Sequence, residues 1–110
     1  MTMLPIDSNN NPIPALRLRS GGAHTIAAGA VSSRNSTAFD QNTKVVSIYA
    51  TVPVYIKMGG SSVTATSTDH YYPAETYYDF AIEGGTGAHI THIAVLRASG
   101  DGTVYISEKV

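Results

Sequence analysis

The segment His89-Ile90-Thr91-His92 places two imidazoles three residues apart. On a helix such a pair shares one face and offers two nitrogen ligands to a metal ion. The neighbouring residues are β-branched and apolar, however, so the segment reads as a strand, on which positions 89 and 92 point to opposite faces. No second cluster of His and carboxylate follows at usable spacing. The two are read as structural histidines, and no metal or other cofactor is expected. Asp69-His70 lies among serines and threonines, the residue types of a hydrolytic triad. A nucleophilic serine needs a strained turn, and the chain has no Gly-x-Ser-x-Gly elbow. Adjacent Asp and His also cannot bond to one another while both face one substrate. Gly84-Gly85-Thr86-Gly87 lacks the Lys-Ser/Thr of a phosphate loop and leads into a strand, so it reads as a turn. Enzymatic activity is not expected.

Aromatic residues are the more informative group. His70-Tyr71-Tyr72-Pro73 is followed by Tyr77-Tyr78-Asp79, four tyrosines within eight residues. Tyrosine offers wide, stiff, amphipathic contact area, which suits both protein interfaces and sugar sites. Alternation from Tyr77 to Glu83 turns Tyr78, Phe80 and Ile82 toward a core and Tyr77, Asp79, Ala81 and Glu83 outward. Tyr71, Tyr72 and Tyr77 are the candidate surface aromatics. Three uses of the cluster stay open: packing of the domain's own core and rim, a subunit interface, or a glycan site in which Tyr77 works beside Asp79.

Strands must position these side chains. Val45 to Thr51 is β-branched and aromatic and apolar on both faces, as a central strand covered on both sides would be. After Pro53, the run Val54 to Met58 puts Val54, Ile56 and Met58 on one face. Ile90 to Arg97 reads as a buried strand, and Thr103 to Ser107 turns Val104 and Ile106 inward. His24 to Ala28 is a short early strand, and Ser62 to Thr68 an edge strand or an irregular crossing. Gly84 to Gly87 and Ser99-Gly100-Asp101-Gly102 are the punctuation of hairpins. No stretch carries a 3.6-residue apolar period over two turns. Short strands with turn signals every 8–12 residues predict an all-β fold, an antiparallel β-sandwich of about seven or eight short strands.

The chain of 110 residues has the length of one domain. We divide it into an extended N-terminal arm, residues 1–16, and a single β-sandwich domain, residues 17–110. Pro5, Pro12 and Pro14 hold the arm extended, and Asp7 to Asn11 is turn chemistry. Met3, Leu4, Ile6, Ile13 and Leu16 are apolar residues that a free tail does not favour. They are candidate interface residues of an arm docking on a neighbouring subunit, the alternative being a loosely ordered terminus. Charged residues make up only 14% of the chain, which leaves neutral patches rich in Ser, Thr, Gly and Tyr that neighbours would cover. The net charge is −1 with scattered basic residues, so direct nucleic-acid binding is not expected. Cysteine is absent, which rules out disulfides and thiolate chemistry. No apolar run reaches the roughly 20 residues of a membrane helix, and the N-terminus has no basic-then-apolar leader pattern. Neither a membrane nor an export route is expected.

Leu4 to Ser8, Asn11 to Leu16, Asn35 to Asp40, Val45 to Thr51, Asp69-His70-Tyr71-Tyr72-Pro73-Ala74-Glu75 and the closing Gly102-Thr103-Val104-Tyr105-Ile106-Ser107-Glu108 form a set of segments. Together they resemble small virion-associated proteins of tailed phages and prophages. The resemblance runs over most of the chain, and its motifs are general β patterning. It implies a jelly-roll-like sandwich that forms a homotrimer and sits on the capsid exterior. There it would act as a cement or decoration protein bound to the major capsid protein, after synthesis in the host cytoplasm. The alternatives are a head–tail connector or tail component, and a carbohydrate- or receptor-binding module.

Overall fold

The computed structural model describes residue 6 and residues 8–11, 16–83 and 89–110. Within them the chain forms eight strands: β1 (Leu18–Ala28), β2 (Ser33–Arg34), β3 (Val45–Ala50), β4 (Val54–Gly59), β5 (His70–Tyr72), β6 (Tyr77–Ala81), β7 (His92–Arg97) and β8 (Gly102–Lys109). They make two four-stranded sheets, one in the order β1-β8-β3-β6 and the other β2-β7-β4-β5. Every pairing is antiparallel. The predicted all-β sandwich is the observed architecture.

Alternation places the core between the sheets. In the first sheet one inner row runs Ile26, Val104, Ala50, and the next runs His24, Ile106, Ile48, Tyr78. Val54, Ile56, Ile93, Val95 and Tyr72 face them from the second sheet, and Phe39 and Ile82 close the ends. Seven of these apolar residues (Val46, Ile48, Ala50, Val54, Ile93, Val95, Val104) have no exposed surface at all. Each fully buried Val or Ile contributes roughly 1.5–3 kcal/mol over an exposed one, so this layer carries the fold.

The connections differ from the sequence expectation. Gly84–Gly87 and Ser99–Gly102 were expected to close hairpins, but β6 pairs with β3 while β7 pairs with β2 and β4, and β8 pairs with β1 and β3. Gly84–Gly87 lie outside the described residues, and the Ser99–Gly102 connection carries the chain from one sheet to the other. β4 and β5 alone share a sheet with their chain neighbour. Turn residues permit a reversal of direction, but they do not choose the partner of the next strand. Residues 62–68 form the irregular crossing between β4 and β5. The Ala65 amide donates to Ser32 Oγ at 2.8 Å, and Arg34 donates to the Val63 carbonyl at 3.4 Å.

β1 is longer than the predicted strand. Its regular half is the expected His24–Ala28, and before it the register slips between Leu18, opposite Lys109, and Ala23, opposite Ser107. The slip needs Gly21 and Gly22. Gly21 has φ of 75°, and a Cβ on Gly22 would meet Glu108 Cβ at 2.9 Å. Arg17 exchanges both backbone hydrogen bonds with Val110 just ahead of β1.

β3 is central within its sheet, as expected, but only its inner face is covered by the other sheet. Val45, Ser47 and Tyr49 point away from the core and are shielded by neighbouring side chains. Tyr78 lies on the inner row, as alternation predicted, yet it is 58% exposed. β6 is an edge strand, and the three-residue β5 across from it is too short to roof the end of that row.

Candidate functional site

The sequence candidates are dispersed by the fold. His92 is buried on β7 with its Nδ1 2.9 Å from Thr91 Oγ1, while His89 lies ahead of the strand with its Nδ1 3.1 Å from Glu83 Oε1. Burial lowers the pKa of His92, and the charges of Arg34 and His24 add to the shift, so this imidazole stays neutral near pH 7. Glu83 also pairs with Lys44, and that hydrogen bond holds its carboxyl below the ordinary range. Among the described residues no group of three potential ligands gathers. Asp69 is engaged locally: its Oδ2 accepts from the Thr66 amide at 2.7 Å and from Thr66 Oγ1 at 3.2 Å.

Tyr72, expected at the surface, belongs to the core at 6% exposure. Its hydroxyl donates to the Ile48 carbonyl at 2.7 Å, with the Thr76 carbonyl also in contact, and so ties β5 to the opposite sheet. Being opposite inward-facing Val54 in the register decides its direction. Tyr71 and Tyr77 are surface residues, each 59% exposed. Of the arm residues, Ile6 is exposed and Leu16 half-buried; Met3, Leu4 and Ile13 lie outside the described residues.

The outer face of the first sheet carries a feature no linear pattern announced. Tyr105 on β8, Tyr49 on β3 and Tyr77 on β6 stand directly opposite one another and form one cross-strand row of three tyrosines. The next row is Ser107, Ser47 and Asp79. Lys109 donates to Asp79 Oδ1 at 2.9 Å and lies 5.1 Å from the centre of the Tyr77 ring. Hydrogen bonds from Lys109 and Ser47 lower the Tyr77 pKa, against a small opposing effect of burial. The result is a flat, aromatic face whose Asp79 and Lys109 charges are paired. Asp79 is therefore paired with Lys109, and Tyr77 stands beside that pair with its ring exposed.

A groove of about 660 Å³ opens at the edge of the sandwich where β5 and β6 leave the sheets apart. Ile56, Met58, Tyr72 and Phe80 form its apolar part, and Lys57, Asp69, His70 and Tyr71 its polar part. The Tyr71 ring is held edge-on against Tyr55, with centroids 5.9 Å apart.

A buried carboxylate also escaped the sequence reading. Glu108, 1% exposed, lies on the inner row with Val46. Its Oε1 accepts from the Asp40 amide at 2.8 Å and Thr43 Oγ1 at 2.7 Å. Its Oε2 lies 2.8 Å from His24 Nε2 and 3.6 Å from an Arg19 nitrogen. An ionised carboxylate only accepts, so His24 carries its proton on Nε2. Burial pushes the Glu108 pKa up, but the bonds from His24, Asp40 and Thr43 and the charge of Arg19 outweigh it, and the net shift is downward. With both oxygens engaged and no exposure, this group clasps β1, β8 and the 39–43 segment together. The available signal was parity, since Glu108 follows Val104 and Ile106 at the same alternation.

No family model matches the chain, and neither a curated protein nor a solved structure matches it.

Proposed function

We propose that this chain is a structural protein of a virion, a capsid cement or decoration protein that works by binding across capsid subunits and performs no catalysis. The observation that supports the reading is the tyrosine row Tyr105–Tyr49–Tyr77 on the outer face of the first sheet. Tyrosines bring large contact area at low entropic cost, and the paired charges of Asp79 and Lys109 leave little to repel a protein surface. A lattice multiplies such contacts, so each can be modest. The winding supports a jelly roll, because every connection except β4–β5 crosses between the two sheets. In this reading the protein is a homotrimer on the capsid exterior, its partner is the major capsid protein, and the apolar arm of residues 1–16 adds a second hold on a neighbour.

The test is co-sedimentation with shells assembled from a tailed-phage major capsid protein, together with the mass of the free protein in solution. Saturable binding is expected, and the Tyr77→Ser/Tyr105→Ser double variant should bind about thirty-fold more weakly, roughly 2 kcal/mol, with its thermal stability nearly unchanged. Removing residues 1–14 should also weaken binding while leaving the domain folded. Failure to bind shells, or capture by tails or connectors alone, overturns the cement role.

A further inference from the structure

An edge strand presents a row of unpaired main-chain donors and acceptors, and short strands, bulges, prolines and lysines are what keep such rows from pairing with another chain. Three of the four sheet edges here are guarded in this way. β2 and β5 are two and three residues long, and β1 carries the register slip at Gly21 and Gly22. β6, Tyr77–Ala81, pairs with β3 without a slip and holds neither proline nor lysine. All of its residues except Phe80 are exposed, and its one charge, Asp79, is already paired with Lys109.

The hydrogen-bond phase along β6 fixes what this edge offers. The Ile82 amide donates to the Lys44 carbonyl at 2.8 Å, in line with the register that sets Val45 opposite Ala81. Bonded pairs alternate in an antiparallel ladder, so Tyr78 and Phe80 also turn their main chain to β3, while Tyr77, Asp79 and Ala81 turn theirs to the open side. No described residue bonds them there. A ladder with a two-residue repeat is matched by another extended backbone. On the inner side that backbone meets Phe80 and the Tyr78 ring, whose centroids are 5.0 Å apart.

We propose that the occupant is β6 of a second copy, paired antiparallel about a two-fold axis between the two Tyr78 residues, so that two first sheets join into one of eight strands. The groups facing the open edge must oppose one another, which leaves few registers. Centring on Asp79 would set like charges face to face. Centring on Phe80 would set Tyr78 against Ile82, which is already buried. Centring on Tyr78 sets the two exposed rings against each other and puts Asp79 opposite Tyr77 of the second copy, so both pairs exchange main-chain bonds without facing charges. A two-fold contact closes on itself, and in the capsid reading it joins one trimer to the next.

The experiment follows the mass of the full chain by sedimentation equilibrium from about 10 μM to 1 mM, across which the smallest species should double. Asp79→Pro removes the amide that meets the second copy and spares the bonds to β3, whereas Asp79→Ala keeps that amide. Proline should weaken doubling about tenfold or more, and alanine less than about threefold. The chain has no cysteine, so a single one reports on its own symmetry mate. Tyr78→Cys should oxidise to a covalent dimer, because a non-hydrogen-bonded pair holds its Cα atoms about 4.5 Å apart, while Ala81→Cys, away from the axis, should not. The proposal is overturned if the mass stays constant, if folded Asp79→Pro and Asp79→Ala associate equally, or if Tyr78→Cys cross-links no better than Ala81→Cys. Should Asp79→Pro not fold, the two cysteine variants decide alone. No shell enters these measurements, so the capsid reading stands or falls separately.

Discussion

Replacing Glu108 by glutamine keeps the shape of the side chain and removes its charge, and the cost can be worked from the contacts. The carboxylate accepts bonds from the Asp40 amide, Thr43 Oγ1 and His24 Nε2. Bonds to a charged group are worth about 1.5–3 kcal/mol each and neutral ones about 0.5–1.5, so three bonds lose roughly 3 kcal/mol. Relief from burying a charge returns part of this, and the Arg19 guanidinium, 3.6 Å away, loses its counter-charge. The net expectation for Glu108→Gln is a loss of about 2 kcal/mol at pH 7, or about 10 °C in Tm. The pH dependence is a sharper check. The folded-state pKa of Glu108 is lowered from 4.5, so its contribution is complete above that value and is lost as pH falls through the folded pKa. Urea unfolding of both proteins from pH 7 to pH 3 isolates the effect, because carboxylates common to the two, such as Asp69 and Glu83, cancel in the difference. The stability gap should hold between pH 7 and 5 and narrow below about 4.5. A gap under about 0.5 kcal/mol at pH 7, or one equally large at pH 3, would refute the clasp.

Two further outcomes test how the sheets are joined. Tyr72→Phe removes the hydroxyl that reaches the Ile48 carbonyl from the opposite sheet and should cost about 1–2 kcal/mol in urea unfolding, with the fold retained; a neutral result would mean that this bond adds nothing. Glu75, in the Pro73–Thr76 turn between β5 and β6, has φ of 57°, and its amide donates to the Ala50 carbonyl at 2.7 Å. Glu75→Gly should therefore raise stability by up to about 1 kcal/mol by removing a left-handed strain, and a clear loss would show that its side chain matters more than its backbone.

Much of the candidate site was half-legible in the linear pattern. The Tyr71–Tyr72 and Tyr77–Tyr78 pairs lie on β5 and β6, but two of the four directions or exposures came out differently. Tyr72 turned inward because its partner in the register is Val54, and Tyr78 stayed exposed on an inward row because the facing strand is short. The three-tyrosine row joins residues 49, 77 and 105, which are far apart in the chain and become neighbours only through the order β8-β3-β6.

By itself the amino-acid sequence determined the class of fold and most strand positions: alternation at Val54–Met58 and Thr103–Ser107, β-branched runs and glycine turns are local signals with a period of two. It also set which side of most strands is apolar. Tertiary structure alone decided that β6 and β7 enter different sheets, that Glu108 is clasped rather than solvated, and that the edge between β5 and β6 opens into a groove. The reason is physical. Period and turn chemistry act over a few residues, whereas partner choice and cover depend on contacts between segments tens of residues apart, whose free energies no local window contains.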